Sequence, residues 1–121
     1  MTPLSDDWAE NLDRFIVESL QNGCAWGLEG PEGWALTSSE KYPNSDVMPF
    51  WSARELAQVH CEDEWQEYKP VAIDIEEFLD DWLTGMHKDG LLIGVNWTQE
   101  LEGEELEPLD LLQEMEQEIG S

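Results

Sequence analysis

The sequence predicts a small α+β domain, in which amphipathic helices pack on the bulkier face of a small, mainly antiparallel sheet. Apolar residues recur every three to four positions in four segments and alternate with small or polar residues in others. The 121 residues are 40% hydrophobic and include seven tryptophans, which is enough to form one buried core. The segments follow one another without a boundary-like linker, so we expect residues 1–121 to form a single domain.

Each predicted helix begins at a recognisable signal. A side-chain oxygen can cap the first helix and two capping boxes open the next two, while a proline suits the first turn of the last helix. These signals are Ser5, Ser52–Glu55, Asp74–Glu77 and Pro108. The first helix is expected to run from Asp6 to about Asn22 and to end at Gly23.

The strands are predicted from alternating apolar positions. They comprise a hairpin within Cys24–Ser38, an extended segment Val47–Trp51, and strands at Pro70–Ile75 and Leu91–Trp97. Because Pro49 cannot donate a hydrogen bond to a neighbouring strand, we expect its segment to lie at a sheet edge.

The hairpin contains two tryptophans whose direction depends on the loop length. A five-residue loop, Glu29–Gly33, would pair Leu28 with Trp34 and Trp26 with Leu36. Directly paired residues share a face, so all four large side chains would then be buried on one side of the sheet.

The other face of the hairpin carries small residues, and we expect it to need a cover. These residues are Ala25, Gly27 and Ala35. The C-terminal helix would cover this face with Leu111, Leu112, Met115 and Ile119. The alternative is a shallow groove that receives a segment of a partner; we favour the helix, because its apolar stripe also needs burial. On the bulky face, Trp82 is expected beside the hairpin tryptophans.

The charge of the chain favours cationic partners. Its 29 acidic and five basic residues give a net charge of −24, which repels nucleic acid and anionic membrane surfaces. We therefore expect neither nucleic acid nor a membrane as a partner. The alternative is that the charge only maintains solubility or suits a salty environment.

The sequence pattern is typical of a cytoplasmic protein. Residues Met1–Phe15 carry acidic side chains where a secretion signal would carry basic ones, and runs such as Gly90–Val95 are too short to cross a bilayer. Two cysteines, Cys24 and Cys61, are expected to be reduced and buried.

The sequence shows no phosphate-binding loop, nucleophile elbow or metalloprotease motif, and we expect no catalytic residues, cofactor or metal. His60 adjoins Cys61, but a metal site or nucleophile pair there would need a further group from Cys24 or His87. The alternative function is a small enzyme of unknown reaction that uses His60 or His87.

Several motifs resemble a small bacterial family known as domain of unknown function 2750. They are Trp26–Leu28, Gly33–Leu36, Met48–Ala57, Trp65, Tyr68, Pro70 and Glu76–Val95. The resemblance covers nearly all of the chain and implies a bacterial, cytoplasmic single domain, but it brings no activity or functional residues with it. The chain differs in its segment Thr98–Ser121, which holds nine acids and no base.

The acids of this segment suggest a function. We expect a negatively charged patch that docks a basic protein, either a toxin that is neutralised or a nucleic-acid-binding protein. Its residues are Glu102, Glu104, Glu105, Glu107 and Asp110. The alternative is a solvated acidic linker before an ordinary helix. No pattern predicts the oligomeric state.

Overall fold

A computed structural model describes residues 4–31, 33–39, 42–62 and 65–120. The helices are α1 (Trp8–Asn22), α2 (Arg54–Gln58), α3 (Ile75–Glu77), α4 (Leu83–Lys88) and α5 (Pro108–Gly120). The strands are β1 (Cys24–Gly30), β2 (Gly33–Trp34), β3 (Thr37–Ser38), β4 (Asp46–Phe50), β5 (Lys69–Asp74), β6 (Leu92–Val95) and β7 (Glu104–Leu106). A 3-10 turn, Val59–Glu62, follows α2, and a π-helical segment, Phe78–Trp82, joins α3 to α4.

The strands form two sheets that meet at one bridge. One sheet has the order β2-β1-β5 and is antiparallel, and the other has the order β3-β4-β6-β7, with β4 and β6 parallel. Trp26 and Trp51 join them by two backbone N–H···O bonds of 2.8 Å. The predicted α+β class with mainly antiparallel pairing is confirmed, although the strands divide between two sheets instead of forming one.

The helix signals were correct at some ends and wrong at others. The C-terminal end of α1 is confirmed, because Gly23 adopts the left-handed conformation at φ 77°. Asp7, instead of Ser5, caps its start, accepting from the N–H groups of Ala9 and Glu10. Asp74 caps α3 as expected. Ser52 caps nothing, because its hydroxyl is used in a buried polar network instead.

The predicted five-residue hairpin loop was wrong. Glu29 pairs with Trp34 and Gly30 with Gly33, so only two residues separate the paired positions. Gly33 makes this possible, since it adopts φ 128°, which other residues rarely do. The change of parity sends Trp26 and Trp34 to opposite faces and leaves Leu36 45% exposed.

Large residues of one strand lie beside small residues of the next. Ile73 pairs with Ala25, and Trp26 with Ala72. The bulky rows of β1 and β5 therefore occupy opposite faces, so this sheet does not have the single bulkier face that the sequence predicts. The expected contact of Trp82 with a hairpin tryptophan is confirmed, because its ring meets that of Trp34 edge-on at 4.7 Å.

Two cores result, one on each side of the sheets. The helical core comprises Phe15, Ile16, Ala25, Met48, Phe50, Ile73, Phe78, Leu83, Met86, Ile93, Val95, Leu111 and Met115. The tryptophan core comprises Leu28, Ala35, Val47, Trp51, Ala53, Leu56, Ala57, Trp65, Leu92 and Trp97. The helical core therefore draws on α1, α4 and α5, and the tryptophan core on α2.

The C-terminal helix lies with the other long helices. It buries Leu111 and Met115 in the helical core, while Ile119 is 58% exposed. We had expected this helix to cover the face opposite the others, but α2 and the 3-10 turn occupy that side. The first turn at Pro108 is confirmed.

The segment around Pro49 is interior, so its prediction as an edge strand was wrong. β4 pairs with β3 on one side and with β6 on the other. Successive residues of a strand direct their N–H groups to alternate sides, and the Trp51 N–H faces Trp26. The ring nitrogen of Pro49 faces that same side, between the pairing with β3 and the bridge to Trp26. A proline is tolerated there because this edge of β4 changes partner.

We predict that Gly94→Ala destabilises the protein. A Cβ at this position would overlap the indole of Trp97, which is only 3% exposed and cannot move away freely. Overpacking of this kind costs about 1–3 kcal/mol, measurable by urea unfolding.

The matched control is Gly85→Ala. Gly85 lies within α4, and a Cβ there would meet open space. This variant should be stabilised by up to about 1 kcal/mol, because alanine favours helix. If Gly94→Ala is as stable as the unchanged protein, the described packing of Trp97 is incorrect.

Candidate docking surface

The five predicted acids lie on β7 and on the segments that flank it. Glu104 and Glu105 belong to the strand, which pairs antiparallel with β6 at the edge of its sheet. Glu102, Glu107 and Asp110 are exposed, and the two strand residues are half-buried. No sequence pattern predicts a strand in this segment; it forms one because its backbone pairs with that of β6.

Strand alternation separates the two glutamates of β7. Glu104 pairs with Val95 of the helical core, and Glu105 pairs with Gly94 on the opposite face. The Glu105 carboxylate accepts a hydrogen bond from the Ser39 hydroxyl. The exposed acids Glu102, Glu107 and Asp110 are therefore the members best placed to meet a partner.

The backbone beside these acids is held by hydrogen bonds. The Trp97 indole Nε1–H donates to the Glu104 carbonyl at 3.1 Å, and the Thr98 N–H donates to the Glu102 carbonyl at 2.9 Å. Both donors lie on the turn that follows β6. The acids thus project from an ordered backbone, which lowers the entropic cost of holding them in place for a partner.

A groove of about 430 Å³ is lined in part by the same turn. Its walls are the N-terminal segment at Leu4 and Asp6, the region of α2 and its 3-10 turn, and residues 97–100. Sequence analysis did not find this groove, because its walls come from three distant parts of the chain.

Trp97 reaches this groove because the strand pattern stops at the preceding residue. Asn96 has φ 46°, so the alternation of β6 does not continue into Trp97. The indole instead enters the tryptophan core and covers Gly94 and Gly103, where any side chain would collide with it. Strand alternation alone would place Trp97 on the same face as Ile93 and Val95, and the turn at Asn96 prevents this.

Asn96 also organises a buried polar network. Its Oδ1 accepts from the Ser52 N–H at 2.9 Å, and its Nδ2 donates to the Asn11 carbonyl at 3.2 Å. The Ser52 hydroxyl donates to Glu18 Oε1 at 2.7 Å. These groups satisfy one another, so the network stabilises the contact between α1 and the ends of β4 and β6.

The two histidines lie in different surroundings. The ring of His60 stacks on Trp51 at 4.7 Å and faces Trp65 at 6.1 Å, and its Nε2 has no hydrogen-bond partner among the described residues. Burial lowers the pKa of His60, and a backbone hydrogen bond with Trp97 partly opposes this shift. His87 is exposed near the end of α4.

Among the described residues, the cysteines and carboxylates do not complete a metal site around these histidines. Cys24 and Cys61 are half-buried, not fully buried as expected, and neither is in a disulfide. In the parts of the chain that the structure describes, no three metal-ligating side chains come together. No helix within them is both long and apolar enough to cross a membrane.

A comparison with models of protein families identifies the family of the chain. A family model described as "Protein of unknown function (DUF2750)" matches residues 12–115 of the 121. The chain belongs to the DUF2750 family. The match extends from α1 to Met115 of α5 and so includes both cores and β7 of this DUF2750 protein. No curated protein matches the chain.

We predict that neutral His60 makes the stability of the DUF2750 protein depend on pH. The unfolded histidine titrates near about pH 6.5, whereas burial lowers the pKa in the folded state. The unfolded chain therefore binds the proton first as the pH falls, and stability decreases from about pH 6.5 down to the folded pKa. An NMR titration of the His60 Cε1 proton should give a midpoint below about 6.5.

Urea unfolding of His60→Phe and His87→Gln provides the thermodynamic control. His60→Phe should remove part of the decrease between about pH 7 and about pH 5.5, and His87→Gln should retain it. A His60 midpoint at or above about 6.5 would contradict the prediction.

Proposed function

We propose that this DUF2750 protein is a bacterial, cytoplasmic protein-binding module that docks a basic protein. Its docking surface is the acidic surface at β7, formed by Glu102, Glu104, Glu105, Glu107 and Asp110. The partner is a basic toxin that the module neutralises or a nucleic-acid-binding protein that it occupies in place of nucleic acid. The observation that carries the proposal is the exposure of Glu102, Glu107 and Asp110 beside a hydrogen-bonded strand.

Charge balance supports this proposal. Five basic residues cannot neutralise 29 acidic ones by one-to-one pairing, so most carboxylates keep their charge for an external partner or for counterions. A field of one sign attracts an oppositely charged protein over about a Debye length and increases the association rate more than the affinity. The acidic surface at β7 adds a local, ordered concentration of that charge.

The enzyme alternative has less support from the contacts. His60 is only 6% exposed and is stacked on an indole, which leaves little room for a substrate at its ring. His87 is exposed, but among the described residues it belongs to no group of three metal-ligating side chains. A basic protein partner remains the function that the geometry supports best.

The test neutralises the exposed acids of the surface. In the variant Glu102→Gln, Glu107→Gln, Asp110→Asn, the half-buried Glu104 and Glu105 are left in place, so the fold should be retained. The probe is a fluorescent nona-arginine peptide, and stopped-flow mixing measures its association rate at about 20 and 200 mM salt. We expect the rate at low salt to fall by at least about threefold and its salt dependence to weaken.

A matched control distinguishes the effect of this surface on the association rate from the effect of net charge. The variant Glu77→Gln, Asp80→Asn, Glu116→Gln changes the net charge by the same amount at exposed positions outside residues 102–110. It should bind the peptide at nearly the unchanged rate. If both variants slow association equally, binding follows net charge alone and the proposed docking surface is wrong.

A further inference from the structure

The groove beside Trp97 has an apolar floor and an acidic rim. Leu56 and Trp97 are almost fully buried beneath it, while Val59 remains 38% exposed and offers apolar surface to a ligand. Asp6, Glu55 and Glu100 are all exposed at its edge. Among the described residues that line it, none is basic. An apolar floor under a rim of one charge suits an amphipathic cation.

We propose that this groove receives an arginine side chain and an adjoining apolar side chain from the basic partner. The proposal rests on the proposed function, because the partner supplies the arginine. The arginine stem is apolar and would lie on Val59, while its guanidinium would meet the carboxylates of Glu55 and Glu100. A volume of about 430 Å³ is within the range of pockets that bind small ligands, so it accommodates side chains and not a folded element.

The groove and the acidic surface at β7 are continuous along the chain. Glu100 and Glu102 belong to one turn, which is closed by hydrogen bonds from the Thr98 N–H to the Glu102 carbonyl and from the Leu101 N–H to the Thr98 carbonyl, both 2.9 Å. A basic segment bound at Glu102 is therefore separated by only one residue of this turn, Leu101, from Glu100 in the groove wall. This continuity and the charge of the rim favour a peptide segment of the partner as the occupant.

The test uses two capped tripeptides that differ only in apolar content. The probes are acetyl-Leu-Arg-Leu-amide and acetyl-Gly-Arg-Gly-amide, both too short to span the acidic surface. Binding is followed by NMR shifts of the Val59 methyl groups and the Trp97 indole N–H. We expect the leucine peptide to bind on the order of tenfold more tightly, as burial of one further apolar side chain implies.

Two single variants test the floor and the rim separately. Val59→Ser should reduce the difference between the peptides, because it replaces the most exposed apolar side chain of the groove while leaving the charge; binding to this variant is followed at the Trp97 indole N–H. Glu55→Gln should weaken both peptides, while the matched Glu77→Gln on α3 should weaken neither. Val59 and both glutamates are exposed, so these variants should fold.

The outcomes distinguish this proposal from the proposed function. The proposal would be overturned if the two peptides bound with equal affinity, or if the NMR shifts that they cause lay outside the groove. Either result would do so even if nona-arginine still requires the acidic surface at β7. Conversely, groove binding that survives the Glu102, Glu107 and Asp110 variant supports the groove as an arginine site even if that surface proves unimportant. Groove shifts on raising protein concentration without peptide would assign the groove to a second copy and also overturn the proposal.

Discussion

Trp51 is the residue on which the rest of the fold depends. Its backbone exchanges two hydrogen bonds with Trp26 and so joins the two sheets, and its indole N–H donates to the Trp97 carbonyl at 3.1 Å. Its ring also stacks on His60, at the end of the α2 region. A fully buried indole with a satisfied N–H can hold three elements at once, because it combines a large apolar area with one directional bond.

This arrangement requires small residues beside the large ones. Gly27 lies against the rings of Trp34 and Phe50, at distances where even a Cβ would be tight, and Gly94 lies directly beneath Trp97. Glycine weakens a strand in isolation, yet here it provides the space that an indole fills. The many tryptophans and the glycines within the strands therefore depend on each other, because a large indole packs closely only where its neighbour is small.

Local signals predicted the parts of the fold that depend on local chemistry. The left-handed Gly23 and the Asp74 cap follow from interactions within a few residues, and the sequence identified both. The sequence could not show that Ser52 fails to cap a helix. Its hydrogen-bond partner Asn96 lies 44 residues away, so no local pattern indicates that Ser52 is engaged there. Hairpin parity likewise depended on the conformation of Gly33, and a one-residue error in the pairing placed on one face two tryptophans that lie on opposite faces.

The candidate site also has features that the local sequence indicates and features that depend on distant parts of the chain. Charge density along residues 98–110 indicated the acids, but it could not show that Glu104 and Glu105 point to opposite faces of a strand. The groove had no sequence signal, because Asp6, Glu55 and Glu100 converge only in the folded chain. Trp97 links the two features physically, since the same indole lines the groove and donates to the Glu104 carbonyl. A ligand that displaced this ring would break the hydrogen bond from the Trp97 indole to the Glu104 carbonyl. Binding in the groove would therefore affect the backbone of β7 through this one side chain.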